Sequence, residues 1–329
     1  MFRFGSSGAK QAGASGSISG VPTALRRNRK SLTARVWAVS PLYLFLLPAV
    51  LYVVVFNYWP MYGLQIAFKD FRSGLGILGS PWVGLTHFDR FFRSYMFPVL
   101  IRNTLLLSGY QILAGFPIPI ILSIAIHYAA RSGLRRFTQT VTYAPYFISQ
   151  VVLVGMLLLM LSPRTGVVNV FVRALGGTPV FFMGKEGLFR HIYVWSGIWQ
   201  NSGWASIIYL AVLSNSDPDL HEAAIIDGAT KPQRIRHIDI PVLIPTAVIL
   251  LVMNTGQLLA IGFEKAYLMQ NDINIMSSEI IATYVYKLGI LNAQFSYTSA
   301  IGLFNNVINF ALLLGVNSLA RRFAKTGII

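Results

Sequence analysis

The side chains able to do covalent or metal chemistry are sparse and scattered. The five histidines, His87, His127, His191, His221 and His237, follow no HExxH or comparable ligand spacing. There is no GxSxG nucleophile elbow and no cysteine, which removes thiol catalysis, disulfides, iron–sulfur clusters and thiolate zinc sites. The phosphate-cradling GxxxxGK[ST] is also missing. Its nearest fragment, Gly184-Lys185-Glu186, lacks the hydroxyl and the upstream glycine. No catalytic residue, no metal site and no cofactor are expected on this chain, which cannot by itself cradle ATP.

The polar groups that do lie inside apolar runs are uncharged. They are Gln200, Asn201, Ser202, Trp204, Asn254, Thr255, Gln257, Asn305, Asn306 and Asn309. Amides on membrane helices can bond helix to helix. They can equally line a path for a solute rich in hydroxyls, with aromatic faces to stack on it. Asn254 and Gln257 are three apart, and Gln200 and Trp204 four apart, so each pair shares one helix face. Gln200, Asn201, Trp204, Asn254 and Gln257 are therefore the candidate pathway residues, with helix packing as the competing role. Glu264 and Lys265 are expected as an ion pair near the outer face rather than as a proton relay.

The longest polar, charge-mixed stretch between two apolar ones is Asp217–Pro245, DPDLHEAAIIDGATKPQRIRHIDIPVLIP. Asp217 before Pro218 is a helix start, and Asp219 and Glu222 place negative charge at the positive end of the helix dipole. Leu220, Ala223, Ala224 and Asp227 fall on one face, and Gly228 is the stop signal. Thr230 and Pro232 start a second short helix, which Pro241 and Pro245 are expected to end. Two short helices with small alanine side chains at their centre suit docking into another protein.

The elements around this stretch are membrane spans. The 329 residues are 54% hydrophobic and 12% charged, with mean hydropathy +0.58. The charge is about half that of a soluble domain. Crossing a bilayer takes about 20 apolar residues. Six runs qualify, at about Pro41–Tyr58, Pro98–His127, Val141–Leu161, Ile192–Leu213, Thr246–Met269 and Tyr297–Leu319. The net charge of +16 sits between these runs, so it reports topology rather than nucleic-acid binding. Sixteen of the 27 Lys and Arg lie in segments 1–40, 128–140, 214–245 and 320–329, with tight clusters at 26–35, 131–136 and 321–325. By the positive-inside rule these segments are cytoplasmic. Residues 1–40 read as a disordered basic N-terminus without a cleaved signal peptide. Residues 41–97 hold the first span and an outer loop, 98–320 a five-span core, and 321–329 a cytoplasmic tail. The fold class is all-α, a polytopic membrane protein.

Glu222-Ala223-Ala224, three residues, Gly228, nine residues and Ile238-Asp239-Ile240-Pro241 closely resemble the EAA loop of ABC importer permeases, EAA-x3-G-x9-I-x-L-P. Only the leucine differs, replaced by Ile240. The segments from Asn57 (NYWPMYGLQIAFKDF) and from Tyr267 (YLMQNDINIMSSEIIATYVYKLGILNAQFSYTSAIGLFNNVINFALLL) are similar to the LplB/YteP-like branch of the type I, MalF-like carbohydrate permeases. That branch handles polysaccharide fragments, alginate among them. The resemblance covers spans two to six, the type I importer core. It implies a second homologous permease subunit, a pair of ABC ATPases carrying ATP and magnesium, an external solute-binding protein and an oligosaccharide cargo in a lipid bilayer, with no nucleic acid. It implies too that Leu220, Glu222, Ala223, Ala224, Asp227, Gly228, Ile238 and Pro241 form the ATPase-coupling element. An importer of amino acids or peptides would share the loop, and a secondary carrier remains the other class.

Overall fold

The computed structural model describes residues 40–256 and 262–324. The basic N-terminal segment, Gln257 and the last five residues lie outside the described residues. Two compact units divide at Met61. In the first, helix α1 (Ser40–Val53) continues through a π turn, Val54–Tyr58. Its apolar side chains from Leu42 to Met61 are exposed, as suits a helix whose surroundings are lipid or another subunit.

The second unit, from Tyr62, is helical, and the described residues hold no β-pairing beyond a bridge between Lys69 and Trp82. Its helices include α2 (Met96–Gly115), α3 (Pro117–His127), α4 (Ser132–Tyr143), α5 (Gln150–Met160), α6 (Val167–Ala174), α7 (Glu186–Ser214), α8 (Pro218–Ile226), α9 (Lys231–Arg234), α10 (Ile240–Thr255), α11 (Phe263–Met269), α12 (Ile281–Tyr286) and α13 (Phe295–Ala324). Four helical runs among the described residues are long and apolar enough to cross a bilayer: Leu42–Phe68, Met96–His127, Lys231–Thr255 and Phe295–Ser318. The bent pair Ser132–Phe147 and Gln150–Met160 makes a fifth if taken as one span. The expected fourth span lies within α7. Its 29 residues reach about 44 Å, long enough to cross, but Arg190, His191, Gln200 and Asn201 make it less apolar than the others.

Three expectations change. Val141–Leu161 is not one straight span, because the chain turns by 100° between Phe147 and Gln150. Pro145 lies in a 3-10 turn there, and the Ser149 hydroxyl accepts from the Val152 N–H at 3.3 Å to start α5. Thr246–Met269 is not one helix either. Its first part ends at Thr255, and α11 begins separately at Phe263. Finally, Pro241 and Pro245 do not end the second loop helix. The run from Lys231 continues through a π turn, Ile235–Asp239, into α10. A π turn widens the coil, and here it lies where the Pro241 ring would crowd the carbonyl of His237 four residues back.

The bend before α5 is held by α7. Breaking a membrane helix frees backbone groups that must find partners. The Ile148 carbonyl accepts from Gln200 Nε2 at 2.7 Å, and Gln150 Nε2 donates to Gln200 Oε1 at 3.0 Å. One turn on, the Trp204 and Tyr146 rings stack with centroids 4.6 Å apart. Between them Gly203 lets the two backbones touch, since a Cβ there would overlap the Thr142 carbonyl oxygen.

Apolar packing completes the unit. Leu107, Val154, Phe189, Tyr193, Ala266 and Ile280 form one buried cluster, joining α2, α5, α7 and α11. Phe91, Leu100, Ile281, Tyr297 and Ile301 form another, and Tyr209, Leu213, Leu243 and Ala247 a third between α7 and α10.

Replacing Gly203 with alanine is expected to lower stability by about 1–3 kcal/mol through overpacking, while Gly109→Ala, with open space around it, stays near neutral. Thermal unfolding of the detergent-purified protein checks this, and equal melting of the two variants would contradict the contact.

Candidate functional site

The polar loop builds as its residue types require. Asp217 caps α8, its Oδ1 accepting from the Asp219 N–H at 3.0 Å. The helix ends in a paired carbonyl cap: the Gly228 N–H donates to Ile225 O at 3.0 Å, and the Ala229 N–H to Ala224 O at 2.8 Å. That cap needs a left-handed residue, and Gly228 has φ +79°. Gln233 Oε1 accepts from the Thr230 N–H at 2.7 Å to start α9.

No residue of α8 is buried. Leu220, Ile225 and Ile226 are 52%, 54% and 85% exposed, an apolar surface on a helix of only nine residues. Glu222, Ala223, Asp227, Gly228 and Pro241 are also exposed, while Ala224 and Ile238 are half-buried.

One side chain ties this exposed helix down. Asp239, the last residue of the π turn before α10, has no exposed surface. Its Oδ2 accepts from the Tyr128 hydroxyl at 2.7 Å, just past the end of α3. Its Oδ1 lies 3.3 Å from His221 Nε2 on α8. Burial, then the bond to Asp239, pushes the Tyr128 phenol up to about 12, so it is a donor at neutral pH. The Arg234 guanidinium lies 5.7 Å from the centre of the Tyr128 ring. His127 completes the group: one ligand atom each from His127, His221 and Asp239 lie within 4.8 Å of one another.

Sequence reasoning missed this group. Asp239 occupied the variable position of the loop pattern, and the histidines looked unrelated because the fold, not their spacing, brings two of them together. One signal was present: Asp239 is the only acid between Asp227 and Glu264, and it sits against an apolar run. The other histidines are engaged elsewhere. His87 contacts Lys69 O at 3.1 Å, His191 the Tyr110 hydroxyl at 2.9 Å, and His237 the Gln233 carbonyl at 2.9 Å.

The second feature is a cavity of about 560 Å³ between α2, α3, α7 and α10, within the range of small-molecule sites. Asn201, Trp204 and Asn254 line it, together with Ser108, Gln111, Ser202 and Tyr209. Gln200 does not line it. It is buried and bonded to the bend before α5. Gln257 lies outside the described residues. Among the described residues the lining carries amides, hydroxyls and aromatic rings and no charged side chain, a surface suited to hydrogen-bonding hydroxyl groups.

Glu264 and Lys265 are not an interfacial ion pair. Successive helix positions point about 100° apart, so Glu264 is exposed while Lys265 turns inward. Its Nζ donates to the Tyr193 carbonyl at 2.7 Å and lies 4.8 Å from the Tyr193 ring centre. Glu279 is the buried acid in a pair, 2.6 Å from Lys287 Nζ.

Comparison with known proteins gives one answer. The family described as binding-protein-dependent transport system inner membrane component matches residues 115–325. The polygalacturonan/rhamnogalacturonan transport system permease protein YteP of Bacillus subtilis is 38% identical over 303 residues, 92% of this chain and 94% of that protein. Protein LplB of the same organism is 38% identical over 287 residues, 87% of this chain and 90% of that protein. A chain of a bacterial alginate ABC transporter, solved in complex with an alginate pentasaccharide-bound periplasmic protein, superposes with TM-score 0.85 at 38% identity. The match covers 91% of this chain and all of that one.

Tyr128→Phe removes one hydrogen bond from a buried carboxylate and is expected to cost about 1–2 kcal/mol. Unfolding measured at neutral pH checks this, and an unchanged midpoint would contradict the anchoring role of Asp239.

Proposed function

The chain belongs to the family of binding-protein-dependent transport system inner membrane components, and we propose that it is one permease of an ATP-driven importer of oligosaccharides. It is a multi-pass membrane component without an enzymatic role of its own. The cargo class is supported by relatives named for polygalacturonan, rhamnogalacturonan and alginate transport. In this reading a second permease completes the pathway, a pair of ABC ATPases binds ATP and magnesium, and an external binding protein delivers the sugar. Both termini and the loop 217–245 face the cytoplasm. The net positive charge of segments 59–97 and 162–191, on the opposite side, would accommodate an acidic uronate chain.

The observation that carries the reading is α8. It presents Leu220, Glu222, Ala223 and Ile225 outward, with Asp227 exposed at its C-terminal cap, while Asp239 anchors its far side. Ala223 lets a partner approach closely, Glu222 offers a carboxylate to a basic partner, and Gly228 sets the turn to α9. Pro241 lies in the unbroken helical run from Lys231, so displacement of the loop carries directly into α10. Docking can drive the pathway only if its free energy differs between the inward- and outward-facing states. The cavity behind Asn201, Trp204 and Asn254 then serves as the sugar path, with amides bonding hydroxyls and Trp204 stacking on a ring.

The experiment is sugar uptake and ATPase activity of the assembled importer in proteoliposomes. Ala223→Arg is expected to cut both at least tenfold by blocking the dock. Asn254→Leu with Asn201→Leu should lower uptake several-fold while the ATPases still co-purify. Unchanged uptake in Ala223→Arg would sink the coupling role, and unchanged uptake in the double variant would move the path elsewhere.

A further inference from the structure

His127, His221 and Asp239 come from three separate parts of the chain, the end of α3, the middle of α8 and the π turn before α10, and they converge on one small space. Two observations distinguish this from an incidental cluster. Asp239 is fully buried, and its Oδ1, although 3.3 Å from His221 Nε2, accepts no hydrogen bond, nor does that nitrogen make one. With a protonated imidazole the two atoms form an ion contact; with a neutral one the buried carboxylate oxygen has no hydrogen-bonded partner, a gap that an ion bound by both would fill. Their separation also suits a shared ion. Two ligands of a tetrahedral ion with bonds of about 2.1 Å lie roughly 3.4 Å apart.

We propose that these three side chains bind a divalent transition ion such as Zn2+, which pins the exposed loop helix to the ends of two membrane helices. Two imidazoles and one carboxylate are the donors such ions prefer. The remaining carboxylate oxygen is already held by the Tyr128 hydroxyl, an arrangement of the kind that orients metal-bound carboxylates. Closing the group from its 4.8 Å spread requires His127 to move by a rotamer adjustment, since His221 and Asp239 are already in place. A fourth position stays open for water. The nearby Arg135 and Arg234 guanidiniums oppose a cation and hold the affinity below that of a structural zinc site. The ion would therefore act as a reversible clamp on α8.

The test uses the full-length protein, purified in detergent and stripped with EDTA, titrated with Co2+ and then competed with Zn2+. Wild type should take up one Co2+ per chain with the strong visible absorption of a four-coordinate site, and Zn2+ should displace it. His127→Ala and His221→Ala should each weaken binding at least tenfold. His237→Ala, whose ring lies on the Gln233 carbonyl, should bind as wild type does. His221→Gln keeps size and polarity, so it separates ligand loss from misfolding. Zn2+ should raise the melting temperature of wild type and leave that of His221→Gln unmoved. No saturable uptake by wild type, or uptake that His221→Gln leaves unaltered, would overturn the proposal. Because the readout is binding, the result stands apart from the transport assays.

Discussion

A carboxylate without exposed surface must be compensated, and Asp239 makes the loop end of this fold depend on that requirement. Tyr128 reaches it from beyond α3, and His221 faces it from α8. The three elements are thereby held in register although α8 buries none of its own residues. Without that anchor, a nine-residue helix with exposed Leu220, Ile225 and Ile226 would have little to fix its direction. The apolar surface that an isolated helix would bury is left free for a partner.

The continuity of Lys231–Thr255 gives this anchor its mechanical meaning. Asp239 sits in the π turn where the loop becomes a membrane helix, so one side chain joins α8 to the element most able to transmit its movement. At the bend before α5 the logic is similar but the chemistry is neutral. Gln200 satisfies the freed Ile148 carbonyl, and Gly203 allows backbone contact with Thr142. Polar groups on the spans thus divide between those that hold breaks and those, such as Asn201 and Asn254, that face the cavity.

The loop was legible because its signals are local. Asp217, Gly228 and Thr230 cap helices through neighbours within five residues, and the structure forms each of those caps. The membrane runs were legible from apolar length, but their breaks were not. A hydropathy window averages over Pro145 and Ser149, and it cannot see that a π turn lets a helix pass Pro241. The pairing of His221 with Asp239, the inward turn of Lys265 and the role of Gln200 depend on contacts between distant segments, which no spacing rule reports. Gln200 was equally plausible as lining or as glue, and only the position of the bend decides for glue.

The central claim is that the outward face of α8 meets the ATPases. The chain has no cysteine, so single cysteines report without background. Cysteine placed at Leu220 or at Ala223, with a short bifunctional cross-linker applied to the assembled importer, should join this chain to an ATPase subunit, and nucleotide should change the yield. Cysteine at the buried Leu243 should give none. Efficient cross-linking from Leu220 and Ala223 that follows the nucleotide state supports the account. Absence of any ATPase adduct from either position, in a complex that hydrolyses ATP and imports sugar, would contradict it.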